Sequence, residues 1–123
     1  MRFITARKRA EGKGAGHTGT EHHWQMQMSA VGLAMIVPTF VYIVGSSLGA
    51  SHEQVLATFG RPVPAILMGL VLVFGLQHFK NGATIMIEDY WRGSTRKAIN
   101  MFMTAFTYGL AATGLFALAK MAL

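Results

Sequence analysis

The chain has 123 residues, of which 52% are hydrophobic and only 13% charged, and its formal net charge is +6 at pH 7. A soluble domain carries about a quarter of its residues as charges, so this composition excludes an ordinary water-soluble globule, and the length suits one domain rather than two. There are no cysteines. Disulfides, thiolate metal sites, iron–sulfur ligation and cysteine nucleophiles within this chain are therefore excluded.

The positive charge is clustered. Arg2, Arg7, Lys8, Arg9 and Lys13 crowd the N-terminus, and Arg92, Arg96 and Lys97 crowd one later connection. Apolar stretches separate the two groups, which is how charges flank membrane spans. No aromatic residues interleave with the basic ones as they would on a nucleic-acid surface. The expected partner of the surface is membrane lipid, not nucleic acid.

Residues 1–23 read as a basic cytoplasmic tail that includes the Gly-rich "EGKGAGHTGT". From Trp24 to Ser51 no residue is formally charged. A transmembrane helix needs about 20 such residues, so the first span is placed at about 24–46. Pro38 falls inside it and is expected to kink it rather than end it. The next stretch, "SHEQVLATFG", pairs Ser51 with Gln54 three residues later, a capping-box pattern that predicts a short interfacial helix. In "RPVP", Pro62 and Pro64 suit a first helical turn, and the second span is placed at about 63–90 with Gly93 as its stop. A tight connection over 91–95 makes the second and third spans antiparallel neighbours. The third span, about 96–119, has no charge between Lys97 and Lys120. Its Thr104, Thr107, Gly109, Ala112, Thr113 and Gly114 allow close helix approach.

The expected fold class is thus an all-α membrane protein, with a three-helix membrane anchor over residues 24–123. Five Lys and Arg precede the first span and three lie between the second and third, whereas the opposite flanks hold Arg61 and Lys120. The richer side faces the cytoplasm, which puts the N-terminus inside and the C-terminus outside. The first span is too long, and lacks the following small-residue site, for a cleaved signal peptide.

Chemistry concentrates in "HFKNGATIMIEDY", residues 78–90. His78 precedes Asp89 by 11 residues. Three helical turns take about 10.8 residues, so the two share a face about 16 Å apart along the axis. Gly82 and Ile85 lie between them on that face, and the glycine leaves room for a flat group near the backbone. An ionisable residue inside a span reads as functional, or else as a polar group bonded to a neighbouring helix. Lys80 sits roughly 200° around the helix from His78 and is expected to snorkel toward the cytoplasmic headgroups. One imidazole cannot make a metal site alone, but it can be one axial ligand of a haem whose second ligand comes from another chain. His17, His22, His23 and His52 fall near boundaries or in loops and do not supply that second ligand. At the membrane boundary, the Tyr90 hydroxyl can donate to a carbonyl oxygen, and the Asp89 carboxylate can hold that tyrosine or relay a proton. An interfacial belt of charged and aromatic residues is the alternative for Glu88, Asp89, Trp91 and Arg92.

At His78, Gly82 and Asp89-Tyr90 the chain resembles the smaller hydrophobic membrane-anchor subunit of succinate dehydrogenase, the four-subunit succinate:quinone oxidoreductase. The shared motif is a histidine, ten residues, then Asp-Tyr. "GTEHHW", residues 19–24, also resembles the entry to the first span in alphaproteobacterial members. The resemblance implies that His78 is an axial ligand of haem b, shared with the larger cytochrome b anchor subunit, with which the three helices form a bundle. It implies that Tyr90 hydrogen-bonds ubiquinone and that Asp89 supports that site. Gly82, Arg92, His23 and Trp24 are candidate supports of the haem or quinone site. The implied partners are an iron–sulfur subunit and a flavoprotein subunit, and the implied place is the bacterial cytoplasmic (inner) membrane. Many relatives have an arginine shortly after the His-Trp element, where this chain has Met28, so the role of that arginine has no counterpart here. A haem-free structural anchor, a fumarate reductase anchor and a small transporter or channel subunit are the rival readings. The last would need a polar stripe along more than one span, and spans one and three show only scattered Thr, Ser and Gly.

Overall fold

The computed structural model describes residues 5–12 and 19–123. Among them are five helices and no strands: α1 (Ala6–Ala10), α2 (Gly19–Ser46), α3 (His52–Phe59), α4 (Pro62–Tyr90) and α5 (Gly93–Ala122). Three of these are long and apolar enough to cross a membrane, over Thr20–Ser46, Pro62–Tyr90 and Gly93–Ala122. His17, Arg2 and Lys13 of the basic tail lie outside the described residues.

The element types follow from the sequence, and the boundaries differ in three places. α2 starts at Gly19 rather than near Trp24. No breaker follows Gly19, and Glu21 in the first turn opposes the positive end of the helix dipole. Pro38 lies inside α2 and does not end it, as expected. Gly93 does not close α4 but opens α5. α4 ends at Tyr90, Trp91 (φ −118°, ψ 150°) and Arg92 (φ −131°, ψ 163°) are extended, and the chain re-enters helix at once. Gly93 takes φ 64°, a left-handed value that strains any residue with a Cβ, so this two-residue reversal depends on a glycine. α5 then continues to Ala122, a few residues past the expected end.

The predicted capping box on α3 is present. The Ser51 N–H donates to Gln54 Oε1 at 2.9 Å, and the Gln54 N–H donates to Ser51 Oγ at 3.3 Å. Pro62 and Pro64 occupy the first turn of α4, where missing N–H groups cost nothing.

α4 is the central helix. α2 packs on one side of it and α5 on the other, and no contact joins α2 to α5 among the described residues. α3 lies across the ends of α4 and α5 and buries Phe59 there. Close approach is bought with glycine. A Cβ on Gly114 would stand 2.5 Å from Leu72 Cδ2, and one on Gly60 would stand 3.0 Å from the Leu56 carbonyl oxygen and 3.3 Å from that of Met121. Burial is inverted relative to a soluble protein. The only buried apolar residues among those described are Phe59 and Ile87, while the buried polar ones are Ser29, Asn81 and Thr107. Large apolar side chains point outward, with Tyr42 and Met35 each 75% exposed and Phe116 72% exposed. In hydrocarbon, apolar surface loses nothing by facing outward, whereas a polar group must find its partner between helices.

Candidate functional site

His78 sits on the α2 side of α4. Its Nδ1 lies 2.9 Å from Ser29 Oγ of α2, and that hydroxyl also donates to the Met26 carbonyl one turn back at 2.9 Å. Ser29 is only 6% exposed and His78 is half-buried. Among the described residues, Nε2 of the ring has no hydrogen-bond partner. One turn along α4, a Cβ on Gly82 would meet only the Met26 Cε, at 3.9 Å. Gly82 thus leaves room for no more than an ordinary contact with Met26 on the α2 side of α4. Met26 also borders a cleft of about 400 Å³, which it lines with His22, His23 and Ile85. A second cleft, of about 450 Å³, runs past Ser29, Gln25, Met28, Gly32, Phe74 and Gln77.

The other expected site residues do not gather around His78. Asp89 and Tyr90 end α4, about 16 Å along the axis from it. Both are exposed, Tyr90 by 78%. The Tyr90 ring meets Trp91 edge-on, with centroids 6.3 Å apart at 66°. Arg92 is exposed and caps α5 through its backbone alone. His23 and Trp24 are exposed on α2, where they line a shallow depression of about 340 Å³ with Gln27, Met28 and Val31.

Lys80 corrects an expectation. Rather than reaching for headgroups, its Nζ lies over the Tyr108 ring of α5, 5.5 Å from the centroid. The α4–α5 contact puts an electron-rich ring within reach of the stem, and a cation–π contact replaces part of the lost hydration.

Sequence reasoning missed Ser29, whose signal was a lone hydroxyl between apolar neighbours in "QMQMSA". It also missed Asn81, which is 3% exposed. Asn81 Oδ1 accepts from Gln77 Nε2 at 3.5 Å, and its buried Nδ2 has no partner among the described residues.

The described residues hold no cluster of three or more His, Cys, Asp or Glu able to bind a metal ion. What His78 offers an iron is one imidazole within a membrane span, with one nitrogen engaged by Ser29 and the other without a partner among the described residues. That donor set fits a haem held between two chains and does not fit a metal site complete in one.

Three apolar spans in a single layer, with Ser29, Asn81 and Thr107 buried and His78 placed in the second span, define a membrane-embedded subunit. The comparisons with known proteins agree. The family model described as "Succinate dehydrogenase/Fumarate reductase transmembrane subunit" matches residues 1–116. The chain is also 48% identical over 123 residues to the "Succinate dehydrogenase hydrophobic membrane anchor subunit" of Paracoccus denitrificans, covering 100% of this chain and 95% of that relative. The chain belongs to the succinate dehydrogenase membrane-anchor family and is a multi-pass protein of the bacterial inner membrane. No solved structure matches it.

Proposed function

We propose that this chain supplies one axial ligand of a haem b and part of the ubiquinone-reduction site of a succinate dehydrogenase. The observation that carries the reading is His78, half-buried within a span, with Nδ1 engaged by Ser29, Nε2 without a partner among the described residues and Gly82 one turn away. In this reading the second ligand comes from the larger cytochrome b anchor subunit. Haem b supplies a one-electron carrier when bound. His78 would hold it, and Gly82 and Met26 would border it.

At the C-terminal end of α4, Tyr90 and Asp89 are exposed where the flavoprotein and iron–sulfur subunits would dock on the cytoplasmic side. Oxidation of succinate to fumarate releases two electrons and two protons, and reduction of a quinone to a quinol consumes the same. In this reading the Tyr90 hydroxyl donates a hydrogen bond to a quinone carbonyl oxygen. The Asp89 carboxylate orients that hydroxyl or passes a proton from the aqueous side. Arg92, two residues further on, adds positive charge at the same edge. The cytoplasmic orientation of this edge rests on the distribution of Lys and Arg.

A second reading has one specific observation in its favour. A histidine whose ring is hydrogen-bonded to a neighbouring helix, as His78 is to Ser29, is also what a haem-free structural anchor would contain. A reduced-minus-oxidised optical spectrum of the membrane complex separates the two, with wild type beside His78→Ala. A b-type signal lost or altered in the variant supports ligation. Absence of haem from the intact wild-type complex would leave His78 a packing residue.

A further inference from the structure

We propose that Ser29 is a positioning residue, holding His78 in the one neutral tautomer that can ligate iron. This rests on the reading of His78 as a haem ligand. The Ser29 oxygen lies 2.9 Å from the Met26 carbonyl oxygen and 2.9 Å from His78 Nδ1. A hydroxyl has one proton to donate and lone pairs with which to accept, and a carbonyl only accepts.

Two arrangements are open. In the first, Ser29 donates to Met26 and accepts from Nδ1–H, so both protons are used in a continuous chain and Nε2 is left as a bare lone pair. In the second, Ser29 turns its proton to Nδ1. The bond to Met26 is lost, and the ring proton sits on Nε2, where the described residues offer no acceptor. An unsatisfied N–H in an apolar surrounding is costly. The first arrangement keeps one more hydrogen bond and no orphan donor, and the two bonds in line polarise one another. It is also the only one with a nitrogen free to bind a metal.

The placement makes this device rigid. Ser29 is held by its own helix through the bond to Met26, and it reaches His78 across 49 positions of sequence because α2 and α4 pack together. A ring N–H donated to an oxygen fixes the ring plane and makes the opposite nitrogen a stronger donor to metal. The chain would therefore present a preformed ligand before its partner arrives.

The test uses the assembled complex carrying Ser29→Ala, Ser29→Thr or Ser29→Val, beside wild type and His78→Ala. Threonine and valine have nearly the same shape, so their difference isolates the hydroxyl. The readouts are haem occupancy during titration of haem into depleted complex, the haem midpoint potential and the low-temperature EPR signal. Ser29→Ala and Ser29→Val should weaken haem binding by roughly 10–100-fold, the usual effect of removing a partner behind a metal ligand. They should also raise the midpoint potential, because a less basic imidazole stabilises the oxidised iron less. Ser29→Thr should stay near wild type in all three. Wild-type values for the alanine and valine variants, with haem lost only in His78→Ala, would overturn the positioning role and leave the ligand reading intact. Retention of an unaltered haem by His78→Ala would overturn the ligand reading itself, and this proposal with it. Failure of both hydroxyl-free variants to assemble even without haem would assign Ser29 to folding and also overturn the proposal.

Discussion

Replacing Tyr90 by Phe deletes one hydroxyl from a side chain that is 78% exposed. Its ring contact with Trp91 involves the aromatic faces and edges, not the hydroxyl. The folded chain should therefore lose almost nothing, less than about 0.5 kcal/mol, as for surface changes away from special features. The bound quinone would lose a neutral hydrogen bond, worth about 0.5–1.5 kcal/mol. At about 1.4 kcal/mol per factor of ten, this predicts a roughly 2- to 12-fold fall in kcat/KM for quinone. Succinate-dependent ubiquinone reduction should fall by that factor in membranes or detergent. Succinate oxidation by an artificial acceptor that takes electrons before the membrane should be unchanged, as should thermal stability of the complex. Equal loss of both activities would show that the substitution damages assembly. An unchanged quinone reaction would remove Tyr90 from the site.

Three further outcomes are expected. His78→Ala should abolish or alter the b-type spectrum of the complex, while the flavin content of the soluble subunits is retained. Gly60→Val should place side-chain atoms against the backbone oxygens of Leu56 and Met121, already 3.0 and 3.3 Å from a Cβ position. Overpacking of that kind costs about 1–3 kcal/mol, so the complex should melt earlier and α3 should become more sensitive to proteolysis. An unchanged melting temperature would mean that α3 is not held against the end of α5. Lys80→Met should leave the haem spectrum and potential as in wild type, since Lys80 faces Tyr108 of α5 whereas His78 faces Ser29 of α2. A shifted haem potential in that variant would contradict the assignment of the two residues to different sides of α4.

Much of this protein was legible in one dimension because its solvent is hydrocarbon. In that solvent every span must satisfy its backbone within itself, so an uncharged run of sufficient length can only be a helix. Three spans, the α3 capping box and the prolines opening α4 all follow from local chemistry of this kind. His78, Gly82 and Asp89 fall on one face by helical period alone. The turn after α4 was located correctly, but the role of Gly93 was reversed. The same residue type closes and opens helices, and only the backbone angles tell which.

What the tertiary structure decided is the set of partners across helices. Nothing in the apolar pattern of α2 or α4 says which side of each faces the other, because lipid and neighbouring helix are equally apolar and hydrophobicity no longer marks the inside. Polar pairings fix that choice instead. Ser29 of α2 meets His78 of α4, and Lys80 of α4 meets Tyr108 of α5. Each joins residues by a few hydrogen-bonding or charged atoms whose match depends on rotation and depth of whole helices. The sequence by itself determined that a histidine would lie in the membrane and on which face of its own helix. Only the packing of α2 against α4 decided which of its nitrogens is held by protein and which is left unpartnered.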